Sequence, residues 1–181
     1  MDSAYVTLLK FYSNTPSDLM KDSLFSYGFQ LGKSRDSIKA ELATDFSLRN
    51  YLDGKMIKLS DYKGKMELLT YWFPACGPCR AEFPHFESVL AKFKRDEIVY
   101  LAINLLKDQD GYVLPFLKST KHSFIPLKDD VNWDKKNLSA YGAPTNYLID
   151  KEGRIVWSDF QIGSGNQRSL EIMLEELLES K

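Results

Sequence analysis

Met66-Glu67-Leu68-Leu69-Thr70-Tyr71-Trp72-Phe73, then Pro74-Ala75-Cys76-Gly77-Pro78-Cys79, then Arg80-Ala81-Glu82-Phe83-Pro84-His85-Phe86 is the stretch that decides the fold. Its first eight residues are nearly all apolar and lack the alternation of a strand with one wet face. Such strands are usually covered on both faces, as in a parallel or mixed sheet under helices. Past Cys79, residues Phe83, Phe86, Leu90 and Phe93 recur at helical spacing. They predict a helix running to about Arg95 with one buried stripe. Ile98 to Ile103 is a second continuous apolar run. Strand, helix, strand at this spacing is a βαβ unit.

The junction of that strand and helix is where chemistry concentrates. A Cys-x-x-Cys there places the first sulfur at a helix N-terminus, where unpaired N–H groups and the dipole favour negative charge. Cys76 is therefore expected to have a lowered pKa and to act as nucleophile. Cys79, one turn further in and more shielded, is expected to resolve a mixed disulfide by attacking Cys76. Gly77 is read as permitting the tight opening turn, and Pro78 as filling a first-turn position where its missing N–H costs nothing. These are the only two cysteines, so none is left for a structural disulfide. A bridge across so small a loop would stabilise little, so its value must be chemical. Two other readings stay open: a zinc site of Cys76, Cys79, His85 and His122, and a bystander pair. Neither histidine has zinc-finger spacing, so no metal and no cofactor are expected.

Glu82 stands three residues after Cys79, in line with Phe86, Val89 and Phe93 on the inward side of the helix. A partly desolvated carboxyl there could take or give the proton of the resolving thiol. Alternatively, Glu82 bends to solvent and complements the helix N-terminus. Pro84 removes a backbone hydrogen bond mid-helix and is expected to kink it.

Outward from this centre, Phe46 and Leu48, then Met56-Ile57-Lys58-Leu59, flank Asp53-Gly54, a hairpin turn pair. A helix is expected around Tyr112, Val113, Phe116 and Leu117, then a short strand near Phe124 to Leu127. Tyr147-Leu148-Ile149 and Ile155-Val156-Trp157 read as a second hairpin. Leu170, Met173, Leu174, Leu177 and Leu178 give a closing amphipathic helix. The sum is an α/β chain: a central mixed sheet flanked by helices over 45–181, after a helical N-terminal extension over 1–44. In that extension Thr15-Pro16-Ser17-Asp18 is a helix start and Ser34 can cap a turn carrying Ile38 and Leu42. Nothing in it has chemical character; it is read as contacting a partner or the rest of a longer chain. A net charge of −1 argues against a nucleic-acid surface. No apolar run is long enough to span a membrane, and no signal peptide is visible at the first residues.

With these motifs in place, the chain resembles a TlpA-like, redoxin-type member of the thioredoxin superfamily over roughly residues 45 to 180. The match is carried by Asp45-Phe46-Ser47-Leu48, Leu59-Ser60-Asp61-Tyr62-Lys63-Gly64-Lys65, Trp72 through Pro84, Gly142-Ala143-Pro144-Thr145, and Leu148-Ile149-Asp150-Lys151-Glu152-Gly153. The resemblance implies the thioredoxin fold, with Pro144 a cis-proline facing the cysteines and Ala143 offering backbone groups to an extended substrate segment. It groups Gly77 and Pro78 with them on the substrate side. It matches Glu82 to an active-site glutamate of extracytoplasmic reductases and Trp72 to a fold-supporting residue beneath the site. It favours a bacterial envelope or exported location. Two departures stand out. Ala75 sits where thioredoxins often carry tryptophan, and the stretch from Leu106 to Tyr141 is longer than in a minimal thioredoxin.

The expected activity is thiol–disulfide exchange with protein thiols or disulfides, or with a small thiol reductant. It leans to reduction, because the Gly-Pro spacer resembles that of thioredoxins with potentials near −270 mV. An antioxidant thiol peroxidase is the first alternative. Against it, Phe73 fills the position three before Cys76 where a hydroxyl or cation is needed, and Arg80 is the one nearby cation. A non-enzymatic binding module is the second alternative.

Overall fold

The computed structural model describes residues 42–94, 96–129, 143–159 and 165–179. β1 (Ser47–Asn50) and β2 (Met56–Lys58) form the expected hairpin, with Leu48 opposite Ile57. Gly54 carries the turn at φ 71, a left-handed backbone that glycine adopts without a side-chain clash. Leu59, read with this strand, instead opens a 3-10 turn, Leu59–Tyr62. The Asp45 carboxylate accepts hydrogen bonds there from Ser60 N and Oγ.

β3 (Met66–Trp72) is buried at every position, as its nearly continuous apolar run predicts, and it carries Glu67 and Thr70 into the core with it. α1 (Gly77–Leu90) then leads to β4 (Ile98–Asn104), which pairs with β3 in parallel. α2 (Asp110–Ser119) leads to β5 (Ile125–Lys128), parallel to β4. β6 (Thr145–Ile149) lies antiparallel on the other side of β3, and β7 (Ile155–Asp159) antiparallel on β6. α3 (Gly165–Glu179) closes the domain. The sheet order is β2-β1-β5-β4-β3-β6-β7. A parallel crossover at the centre, an antiparallel hairpin beside it and a final helix make this the thioredoxin fold.

Alternation along β3 splits the core in two. Met66, Leu68 and Trp72 join residues of all three described helices, including Phe83, Phe86, Val113, Leu170 and Leu174. Leu69 and Tyr71, one residue out of step, join Phe46, Leu48, Leu59, Leu101, Ile103 and Leu127 on the opposite face. Leu68, Leu69, Leu101 and Ile103 are fully buried, each such side chain contributing roughly 1.5–3 kcal/mol.

α1 ends at Leu90, short of the expected Arg95, which lies outside the described residues. Lys92 N and Phe93 N bond back to the carbonyls of Val89 and Leu90, three residues away. These tighter turns swing the chain toward β4. The helix is continuous through Pro84, which is exposed. Of the expected extension over 1–44, residues 1–41 lie outside the described residues. Leu42 bridges to Arg154, and Ala43 N donates to Gly153 O at 2.9 Å. Residues 130–142, including Gly142 and part of the long 106–141 stretch, are likewise outside. No described helix is long and apolar enough to cross a membrane.

Candidate active site

The cysteine pair sits where β3 hands over to α1, at the C-terminal edge of the central strands. Cys76 is the N-cap of α1, with an extended backbone at φ −71 and ψ 96. Its sulfur accepts a hydrogen bond from Cys79 N at 3.2 Å. Arg80 N closes the first turn onto Cys76 O at 3.1 Å. One of the orphan N–H groups of a helix start therefore points at the outer sulfur. That geometry favours a thiolate once the pair is reduced. Here the two are joined as a disulfide with Cα atoms 5.3 Å apart. Cys76 is 4% exposed and Cys79 is 0% exposed, so of the two residues only the outer one reaches solvent.

Pro78 falls in the first turn, where its missing N–H leaves nothing unsatisfied. The tight opening turn does not depend on Gly77. Its backbone is not in the left-handed region, and a Cβ there would meet nothing within 4 Å. The extended conformation of Cys76 makes the turn instead. Glycine leaves the surface over the disulfide open.

The loop ahead of Cys76 is held from several sides. Cys76 N donates to Phe73 O at 2.9 Å, and Leu105 N donates to Trp72 O at 2.9 Å. Ala75 N donates to Gln109 Oε1 at 2.9 Å. Gln109 ends the 3-10 turn Lys107–Gln109 that leads into α2. Asp110, the first residue of α2, is fixed by Asn104 Nδ2 at 2.9 Å, by Lys128 Nζ at 2.8 Å and by the Tyr51 hydroxyl. Desolvation pulls the Asp110 carboxyl up, but the Lys128 and hydroxyl contacts outweigh it and hold it below the usual range. Sequence reasoning missed Gln109, whose only signal was its place in the longer stretch after β4.

Trp72 lies beneath, fully buried, with its ring 5.3 Å from that of Phe83 and 5.1 Å from that of Phe116. His122 belongs to the same aromatic cluster. It stacks on Phe124 at 4.7 Å and on Phe116 at 5.0 Å, with its Nε2 2.5 Å from Thr120 Oγ1. Burial holds its imidazole below the usual value, against the pull of Glu87. His85 is exposed on α1. Among the described residues no group of three or more His, Cys, Asp or Glu side chains is placed to hold a metal. Arg80 lies over the Phe116 ring at 5.7 Å.

The Ala143–Pro144 peptide bond is cis. Pro144 is buried and immediately precedes Thr145, which pairs with Tyr71 near the end of β3. Ala143 packs on the cluster that contains Cys76 and Cys79. Glu82 points inward, 9% exposed. Its Oε2 accepts from Asn146 Nδ2 at 2.9 Å and its Oε1 from Asn166 Nδ2 at 2.7 Å. The reading in which it bends to solvent does not hold. Neither asparagine was anticipated.

A family model described as AhpC/TSA matches residues 40–158, more than half of the chain. The chain belongs to the AhpC/TSA family. Within that family it is similar to proteins named thiol-disulfide oxidoreductase ResA. The Bacillus subtilis protein is 36% identical over 107 residues, covering 58% of each chain. The chain thus spans about three fifths of the length of that relative. The Bacillus thuringiensis (strain Al Hakam) protein is 32% identical over 155 residues, covering 83% of this chain and 84% of that one. Among solved structures, the exposed lipoprotein thioredoxin Etrx1 of Streptococcus pneumoniae superposes with a TM-score of 0.59 at 30% identity. That match covers 74% of this chain and 100% of the other.

Proposed function

We propose that this AhpC/TSA-family protein is a thiol–disulfide oxidoreductase that cycles Cys76 and Cys79 between dithiol and disulfide. The observation that carries the reading is the Cys76 sulfur at the N-cap of α1, accepting the Cys79 N–H. In the reducing direction, Cys76 thiolate attacks one sulfur of a substrate disulfide. The substrate S–S bond breaks, one substrate thiolate leaves, and a Cys76–substrate mixed disulfide forms. Cys79 loses its proton and attacks Cys76, releasing the second substrate thiolate. Two electrons pass from the protein dithiol to the substrate. A thiol reductant reverses the sequence on the protein.

In this reading Glu82 receives the proton of Cys79. It sits three residues on along one helix face, roughly 5–6 Å away between Cβ atoms. Ala143, cis-Pro144, Gly77 and Pro78 form the surface against which an extended substrate segment lies, and Trp72 supports it from below. The Gly-Pro spacer supports a reductase. The relatives named ResA and the neighbour named an exposed lipoprotein support an extracytoplasmic location, with protein thiols or disulfides as partners.

The test is a Cys79→Ser variant, in cells or with a small disulfide probe. Mixed disulfides through Cys76 are expected to accumulate, and to vanish when Cys76→Ser is added. No accumulation would refute the reading. Arg80 turned over Phe116 does not support the peroxidase alternative, and the peroxide rate of the reduced protein is expected to stay near that of free cysteine.

A further inference from the structure

Glu82 is the meeting point of a buried hydrogen-bond chain that draws on five elements. It stands on α1 and takes one donor from Asn146 on β6 and one from Asn166 on α3. Asn146 is 0% exposed and Asn166 is 6% exposed. Behind Asn146, Thr70 on β3 donates from Oγ1 to Asn146 Oδ1 at 2.8 Å. Thr70 and Asn146 are register partners across the β3–β6 ladder, so this contact is built into the sheet. The Thr70 hydroxyl also lies 3.3 Å from that of Tyr100 on β4.

Donor and acceptor counting fixes the sense of the chain. Asn146 has one amide oxygen and one NH2. A carboxylate can only accept, so the NH2 must face Glu82 and the oxygen must face Thr70. Thr70 has a single proton and directs it to that oxygen. The carboxylate fixes this orientation, since the turned amide would set its oxygen against Glu82 Oε2, and Thr70 completes it by donating to the amide oxygen. Two neutral amides thus stabilise the carboxylate form of Glu82 without adding a charge to the buried site.

The far end of the chain carries no proton away. Tyr100 is nearly fully buried, and desolvation holds its phenol well above the usual range, so it stays protonated. Amides do not relay protons at neutral pH.

We propose that Asn146 and Asn166, with Thr70 bonding the Asn146 oxygen, are positioning residues for the resolving step. They aim Glu82 and set the pH above which it accepts the proton of Cys79. This rests on the reading of Glu82 as that acceptor. None of the three touches the reacting sulfurs in this role; each acts through Glu82.

The experiment is a single turnover of the reduced full chain with one equivalent of 5,5′-dithiobis(2-nitrobenzoate), followed by stopped flow from about pH 5 to about pH 9. The reagent releases one aryl thiolate when Cys76 attacks and a second when Cys79 resolves. The first phase is an internal control for folding and for the nucleophile. In Asn146→Ala and Asn166→Ala the first phase is expected to change by less than about two-fold. The pH midpoint of the second phase is expected to rise by about one unit, a roughly tenfold slower resolution on its acid side. Asn146→Asp keeps the size of the side chain, so it serves where alanine loses the fold. It sets a second carboxyl against Glu82 and is expected to raise the midpoint further. Glu82→Gln is expected to abolish the acid limb, and adding Asn146→Asp to it should then shift nothing. Loss of the limb in Glu82→Gln with wild-type midpoints in the asparagine variants would overturn the positioning role alone. A wild-type profile in Glu82→Gln would overturn the role of Glu82 and this inference with it.

Discussion

Replacing Glu67 with glutamine is expected to stabilise the protein at neutral pH and to leave it nearly unchanged in acid. Glu67 lies on β3 opposite Val99 and Ile149, is 2% exposed, and its Oε2 has no hydrogen-bond partner among the described residues. Burial first, then the charges of Asp150 and Asp45, push its carboxyl from 4.5 up to about 8. At pH 7 the folded group keeps its proton, whereas the unfolded one has lost it. The unfolded state therefore binds fewer protons, and stability falls as pH rises through this window. Full stability is present below the unfolded value and the loss is complete above the folded one. At about 1.4 kcal/mol per pH unit, the loss accumulated by pH 7 is on the order of 3 kcal/mol. Glutamine mimics the protonated acid at every pH, so it removes that loss. For a chain of this size about 1 kcal/mol shifts Tm by roughly 2–4 °C, giving an expected gain of about 6–12 °C at pH 7. Thermal unfolding followed by circular dichroism from about pH 4 to about pH 9 measures it. A difference between the two proteins that is the same in acid as at neutrality would refute the reasoning, as would a lower Tm for Glu67→Gln at pH 7.

Two further outcomes follow from the aromatic cluster under the site. Phe83 is fully buried against Trp72, Phe116, Phe124 and His122, so Phe83→Ala is expected to cost about 3–5 kcal/mol in urea unfolding. Burial lowers the affinity of the folded His122 imidazole for a proton, against the pull of Glu87, so its stabilising share is full above about pH 6.5 and is lost as pH falls below it. His122→Phe is expected to flatten that acid-side loss in a Tm-against-pH series.

What could be read from the chain alone divides along sequence distance. The disulfide, the N-cap and the inward face of Glu82 lie within seven residues of one another, and helix geometry alone relates them. β3 and β4 announced themselves because a strand buried on both faces has no polar alternation to hide it. The partners of Glu82 were not legible. Asn146 and Asn166 lie 64 and 84 residues away, and an asparagine carries no pattern that marks it as buried before the sheet and the closing helix assemble. The same holds for Gln109, which meets Ala75 across 34 residues. The cis bond at Pro144 came from resemblance, since no local rule singles it out. Gly77 shows the opposite failure, where a familiar residue invited a turn argument although the backbone of Cys76 makes the turn. The end of α1 was overextended because Phe93 keeps the helical spacing while its amide already bonds three residues back.

Exchange through this pair depends on the charge state of one sulfur, that of Cys76. The most direct measurement is a pH titration of Cys76 in the reduced Cys79→Ser protein, read by thiolate absorbance and by the rate of iodoacetamide alkylation. A midpoint at least about one unit below the free-cysteine value near 8.5 is the predicted result. A midpoint at or above that value would contradict it.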